Sequence, residues 1–318
     1  MRPPGERLAV VIATYRRPQG LARLLDCLRA QGFPEDRLSV VVVNDGSHDP
    51  RYARVLARHA AWARYVSLPR RGGPSRARNA GARSCGGDAL VFTDDDCEPP
   101  RDWLRRLSDA LDRFPAAAAV GGPVSGLAGR AGGLVERYLT EIGYQGPWRP
   151  SGRVAGLCTA NLAVRRGWFE RVGGFDERLP YAGGEDFELC RRLLEAGGEL
   201  AWAVDWLNRH RHPSSPWDLC RRFFFYGYGA ALSARHRGGP LPDGLPRAAS
   251  IPRFIASLPQ LLRDARAPLG AELDRDQPLG RLLAFHSMAV LRVLSFQTGG
   301  LCAMRGRPFR DGSLLRLL

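Results

Sequence analysis

Lysine is absent from the 318 residues, so all 47 basic side chains are arginine. Cationic contacts therefore fall to a planar guanidinium, which suits bidentate phosphate binding. The seven cysteines (27, 85, 97, 158, 190, 220 and 302) are scattered and form no CxxC pair. That excludes a paired-cysteine zinc site and argues against a disulfide framework, fitting a reduced, cytosolic protein. Long apolar runs are also missing. The first, Leu8 to Ala13, is too short for a secretory or spanning segment, so no signal peptide is expected. Leu279 to Phe296 is apolar but interrupted by Arg281, His286 and Arg292, which makes it a core or interfacial helix rather than a span. There is no internal repeat, no long low-complexity segment and no motif of a known nucleic-acid reader.

The chain that remains is basic, with a net charge of +15. From Leu207 to the end there are 17 Arg against 7 acidic residues, so this last third carries +10 of it. Such a tail fits an anionic membrane surface, a nucleic acid or plain solubility. Nucleic acid ranks last, for want of a reader motif. The segment Arg221-Arg222-Phe223-Phe224-Phe225-Tyr226-Gly227-Tyr228 mixes bases with aromatics. It reads first as a packed helix and second as an amphipathic helix at a membrane surface.

Upstream, apolar runs alternate with helical periodicity. Leu8-Ile12, Val40-Val43, Tyr65-Leu68 and Ala89-Phe92 read as strands. Leu21, Leu24, Leu25 and Leu28 recur at helical spacing, as do Trp103, Leu104, Leu107, Leu111 and Phe114. Val55 to Ala63, Ser75 to Arg83 and Asp186 to Ala196 are further helices. Residues 121 to 156 are rich in Gly and Pro and are expected to be irregular. The alternation predicts an α/β fold with a mostly parallel sheet. In such sheets ligands bind outside the carboxyl ends of the strands, so Thr14, Asp45 and the Asp94-Asp95-Asp96 triplet should converge on one crevice. Three adjacent carboxylates repel one another unless a cation sits among them, and a hard ion such as Mg²⁺ or Mn²⁺ takes oxygen ligands. The alternative for the triplet is a solvated acidic turn.

Five blocks, in order, carry a family resemblance. They are Val10-Val11-Ile12-Ala13-Thr14-Tyr15-Arg16-Arg17-Pro18, Val42-Val43-Asn44-Asp45-Gly46-Ser47, the segment from Gly72 to Gly81, Phe92-Thr93-Asp94-Asp95-Asp96, and Gly173-Gly174-Phe175-Asp176-Glu177 followed by Gly184-Glu185-Asp186. Together they resemble the family 2 glycosyltransferases over roughly residues 7 to 215. The resemblance implies a GT-A catalytic domain over 1–215 and a basic, aromatic-rich helical region over 216–318. It implies an inverting, metal-dependent transferase, hexosyltransferase-like. Such an enzyme moves a sugar from a nucleoside-diphosphate donor, here a UDP-sugar, to a hydroxyl on a glycan, lipid-linked or small-molecule acceptor. Cell-envelope or glycolipid synthesis is the setting it implies. The protein would then be cytoplasmic, with peripheral contact at the cytoplasmic face of the membrane as one reading of the tail.

Residue by residue, Thr14 and Asp45 match nucleoside contacts, although Asp45 also reads as a turn carboxylate satisfying local amides. Asn44 stands where many relatives have a second Asp. Arg78 and Asn79 match positions near the donor diphosphate and sugar, at a helix start that favours anions. Asp94 and Asp96 flank Asp95 as the Asp-x-Asp, with Asp96 ligating Mn²⁺ or Mg²⁺ and Asp94 binding ribose or the metal's water. Asp186, beside Glu185, matches the catalytic base, and a helix amino terminus predicts that it stays ionised near neutral pH. First-turn acids are also common as simple caps. His210 and His212 lie two apart, on one face of a strand, and His210 is preferred as a further metal ligand. The rival readings are a nucleotidyltransferase on a related α/β fold and a non-enzymatic basic protein that binds nucleic acid or membrane.

Overall fold

The computed structural model describes residues 6–128, 131–147, 149, 152–238 and 279–304. It divides into two compact units, one of Met1–Tyr181 with Glu185–His212 and the other of Ala182–Gly184 with Pro213–Leu318.

The first unit is built on a seven-stranded sheet of order β3-β2-β1-β4-β7-β5-β8. Its strands are β1 (Leu8–Thr14), β2 (Leu38–Asn44), β3 (Ala63–Ser67), β4 (Ala89–Asp94), β5 (Ala117–Gly121), β7 (Leu162–Arg165) and β8 (Glu199–Trp202). β1 lies parallel to both β2 and β4, and β2 is parallel to β3. Only β7 runs antiparallel to its neighbours β4 and β5. The continuous apolar sequence of β1 follows from this position, because a central parallel strand is covered on both faces. Leu8, Val10 and Ile12 meet the layer of Leu21, Leu24, Leu25, Leu104 and Leu107, while Ala9 and Val11 meet that of Phe92, Phe169, Leu189 and Leu193. Alternate side chains of one strand thus feed two cores.

The helices fall where periodicity placed them. α1 (Pro18–Arg29) opens on a proline, whose missing N–H costs nothing at that position, and buries Leu21, Leu24, Leu25 and Leu28. α2 spans Arg51–His59, earlier than the expected 55–63, because Ala63 opens β3. α3 (Pro74–Arg83) follows Gly73, whose φ of 90° and closeness to the Pro180 backbone leave no room for a Cβ. α4 is Trp103–Arg113.

The segment 121–156 is less irregular than its glycines predict. It holds β6 (Val124–Gly126) and α5 (Leu134–Glu141), whose Val135, Tyr138 and Leu139 are buried. β6 pairs in parallel with the short β9 (Asn208–His210) in a separate two-stranded sheet. α6 (Arg166–Arg171) and α7 (Glu185–Glu195) complete the unit.

The second unit contains α8 (Pro216–Arg237) and α9 (Leu279–Met304). Ser215 caps α8, its hydroxyl accepting from the Asp218 amide at 3.1 Å and donating to the Asp218 carboxylate at 2.7 Å. The aromatic segment packs as a helix: Phe223, Phe224 and Tyr228 are buried. Gly227 lies against the Phe296 carbonyl and Gly299 against that of Phe224, so the two helices approach through their glycines. Arg292 sits 5.6 Å over the Phe223 ring. The aromatic half of the membrane reading therefore gives way to packing. Trp217 and Arg221 remain exposed on α8. Among the described residues no helix is long and apolar enough to cross a membrane.

Candidate active site

Parallel pairing sets the carboxyl ends of β1, β2 and β4 side by side. Thr14 is in register with Asn44, and Ala13 with Asp94. This is the edge at which an α/β sheet receives ligands, and it brings together most of the residues singled out from the sequence.

Thr14 is buried, donates to Asp95 Oδ2 at 2.7 Å and lies 2.8 Å from the Tyr52 hydroxyl. Asp45 accepts the Gly72 amide at 2.7 Å on one oxygen and the Gly73 amide at 2.8 Å on the other. The local-amide reading of Asp45 is thus realised. The glycine amides that could have cradled a phosphate are engaged by that carboxylate. Each oxygen still has a second lone pair for a base N–H. Burial pushes the Asp45 carboxyl up, and the two amide bonds pull it back. Asn44 is structural, donating to the Ser47 carbonyl and the Tyr65 hydroxyl and accepting the Ser47 amide.

The three acids at the end of β4 differ in their partners, although Asp95 and Asp96 share Arg17. Asp94 accepts from Arg78 Nη2 at 2.9 Å. Asp95 is buried against Thr14 and lies 3.3 Å from Arg17 Nη1. Asp96 faces Arg17 Nη1 at 2.5 Å with one oxygen and His210 Nε2 at 3.1 Å with the other. Burial first, then the negative Asp96, pushes Asp95 up to about 7. Arg17 is the residue that sequence reasoning passed over. Its only signal was its place in the turn after Thr14.

Asp94, Asp96 and His210 present ligand atoms that all lie within 4.8 Å of one another. Two carboxylates and an imidazole form a hard, oxygen-rich set that fits Mn²⁺ or Mg²⁺ and leaves coordination positions for phosphate oxygens. His210 rather than His212 turns a ring nitrogen to the acids. His212 Nδ1 lies 3.3 Å from His210 Nδ1, on the far side of that ring, where a partner can orient a ligand histidine.

Arg78 is buried and bridges two places, reaching Asp94 and, through Nη1 at 2.8 Å, Glu185 on α7. One guanidinium therefore joins the acid cluster to the end of α7 that carries Asp186. Asn79 bonds to the segment ahead of α7. It donates to the Phe175 carbonyl and the Glu177 carboxylate, and it accepts the Phe175 amide. Its contacts hold the Gly-Gly-Phe-Asp-Glu segment in place.

Asp186 accepts the Phe187 amide at 2.9 Å and the Thr159 amide at 3.4 Å. A helix amino terminus alone predicts an ionised carboxylate. Burial and the adjacent Glu185 outweigh it and push Asp186 up to about 7, so near neutral pH it exchanges a proton readily.

The model of the family described as "Glycosyl transferase family 2" matches residues 9–173. The chain belongs to glycosyl transferase family 2. A second model, described as "N-terminal domain of galactosyltransferase", matches residues 145–212, the stretch that carries Asp186 and His210. Among curated relatives, a pre-mycofactocin glycosyltransferase of Mycobacterium tuberculosis is 33% identical over 248 residues, 74% of this chain and 50% of that protein. The chain thus spans about half the length of that relative. The glycosyltransferase AglE of Haloferax volcanii is 30% identical over 70% of this chain and 72% of its own. A mannosyltransferase of Pyrobaculum calidifontis, solved with GDP-Man and Mn²⁺, superposes with a TM-score of 0.64 at 20% identity, covering 96% of this chain and 89% of that one. This family 2 chain accordingly has the GT-A fold, with a helical carboxyl-terminal part.

Proposed function

We propose that this transferase moves a sugar from a nucleoside-diphosphate donor, a UDP-sugar in our reading, to an acceptor hydroxyl with inversion. The observation that carries the proposal is the Asp94–Arg78–Glu185 bridge. Through the two Nη atoms of one buried guanidinium it links Asp94, a member of the group that would hold a cation, to Glu185, the sequence neighbour of Asp186, whose carboxyl is pushed up to about 7. Asp94, Asp96 and His210 would hold Mn²⁺ or Mg²⁺, and when bound the cation would offset charge on the departing nucleoside diphosphate. Thr14 and Asp45 line the nucleoside end. Asp186, once ionised, takes the proton of the acceptor hydroxyl as that oxygen attacks the anomeric carbon. The acceptor is a hydroxyl of a glycan, a lipid-linked sugar or a small molecule.

The test is a screen of nucleotide sugars for nucleotide release, with the product anomer then read by NMR. Thermal stabilisation by UDP with Mn²⁺, absent with Mn²⁺ alone, supports the reading, since only a ligand that binds the native state raises stability. Stabilisation by DNA alone would instead favour a nucleic-acid binder.

A pH dependence follows from Asp186. Its carboxyl is raised, so the protonated, inactive form dominates below about 7 and the base form above. Turnover under saturating donor should climb through neutrality and level off on the alkaline side. A flat profile across that range would show that Asp186 does not accept the proton in the slow step.

The charge of residues 207 to 318 supports a further proposal, weak association with an anionic lipid surface. Flotation with anionic vesicles should carry the protein at low salt and release it at high salt, because screening shortens the reach of the charges. Absence from the vesicle fraction at low salt would end that proposal.

A further inference from the structure

His210 is the member of the cation-holding group that arrives from outside the main sheet. β9 is three residues long and its partner β6 is equally short, so their ladder alone is a weak support. Two backbone bonds tie β9 to the chain beyond β4: the Glu98 amide donates to the Arg209 carbonyl at 2.8 Å, and the Arg211 amide to the Asp96 carbonyl at 3.0 Å. Beneath them lie two carboxamides that touch no candidate ligand. Asn208, 0% exposed, donates to Thr93 Oγ1 at 3.0 Å and to the Ala160 carbonyl at 2.8 Å, and its oxygen accepts the Arg209 amide at 2.8 Å. Asn161, 1% exposed, donates to the carbonyls of Pro123 (3.1 Å) and Trp206 (2.6 Å) and accepts Trp103 Nε1–H at 2.9 Å. Both N–H bonds of each amide are used, and each carbonyl has a donor.

The placement is specific. Thr93 immediately precedes Asp94, and Asn208 lies two residues before His210 on the same side of β9. One side chain thus pins the strand of the histidine to the residue next to the first acid. Asn161, from the turn that also supplies Ala160, fastens the same turn to Pro123 and Trp206 on the path into β6 and β9. A hydrophobic residue at 208 would leave the Ala160 carbonyl and the Thr93 hydroxyl without this donor in a buried place.

We propose that Asn208, braced by Asn161, is a positioning residue that holds His210 Nε2 at ligand distance from Asp94 and Asp96. The inference rests on the reading of those three residues as a cation site. The experiment measures Mn²⁺ affinity of the full chain by electron paramagnetic resonance in the presence of UDP. Wild type is compared with Asn208→Ala, Asn208→Ser, His210→Ala and the double variant Asn208→Ser/His210→Ala, all well below their melting temperatures. Asn208→Ala should weaken Mn²⁺ by about tenfold to a hundredfold, the range seen for groups that orient metal ligands. Asn208→Ser, which keeps one donor, should fall between it and wild type. In the His210→Ala background the serine substitution should cost nothing further, because two residues acting through one ligand are not additive. UDP affinity without metal should be unchanged in all. Wild-type Mn²⁺ affinity in a folded Asn208→Ser, or an equal loss in the two backgrounds, would overturn the positioning role. Failure of wild type itself to bind Mn²⁺ would overturn the cation site instead.

Discussion

Asp96→Ala should abolish the gain in donor affinity that Mn²⁺ confers. Asp96 is buried, and its two oxygens face different neighbours, the Arg17 guanidinium on one side and the His210 imidazole on the other. Without it Asp94 and His210 remain, two ligands for an ion that wants about six, mostly oxygens. The loss in Mn²⁺ affinity should be at least about a hundredfold, the upper end of what removing an outer-shell partner costs. The fold should persist. The bond that ties this turn to β9 uses the Asp96 carbonyl, which alanine retains. Removing the side chain also relieves the repulsion that helps to raise Asp95. Titration of UDP with and without Mn²⁺, against wild type and variant, reads the result directly. A variant that keeps the metal-dependent gain would take Asp96 out of the ligand set.

The strands that build this site were the easiest part of the sequence to read. β1, β2 and β4 are buried on both faces, so each is a short unbroken apolar run, and each ends in a polar turn. Their parallel pairing then fixes where Thr14, Asp45 and the three acids meet. The far half of the sheet carried no such mark. β5 is Ala-Ala-Ala-Val-Gly, in which Val120 alone favours a strand, and burial holds it in place. β9, in the separate two-stranded sheet, is Asn-Arg-His and has no apolar residue at all. α5 was hidden because its neighbours are glycines, although its own Val135, Tyr138 and Leu139 repeat at helical spacing. Partners at long range were also hidden. Nothing near Arg17 in sequence tells of Asp95, 78 residues on, and nothing near Asn208 tells of Thr93, 115 residues back. Asp186 shows the converse limit. Its place at a helix start was legible and predicts an ionised acid. The neighbouring Glu185 was legible too, but the burial that outweighs the helix end exists only in the folded chain.

Asp186→Asn should separate chemistry from binding. Asparagine preserves size and keeps an oxygen acceptor in the first turn of α7. Its side-chain oxygen can still accept the Phe187 amide. Only the longer contact to the Thr159 amide, at 3.4 Å, is exposed to loss. Donor affinity should stay near wild type, because Thr14, Asp45 and the Asp94–Asp96–His210 group lie on other elements and are untouched. Transfer should fall by about a hundredfold or more, the usual contribution of a positioned general base. The rise of turnover through neutral pH should vanish with it, since the amide has no proton to lose in that range. In the wild type, one base and one displacement invert the anomeric centre, so the product should carry the configuration opposite to the donor's. Donor affinity and turnover of the variant, measured across pH, decide the first point, and NMR of the wild-type product decides the second. Near-normal turnover in a folded variant would remove Asp186 from the mechanism. A retained configuration would replace the single displacement with a double one, in which a carboxylate acts as nucleophile and the short route from Asp186 to the acceptor proton no longer explains catalysis.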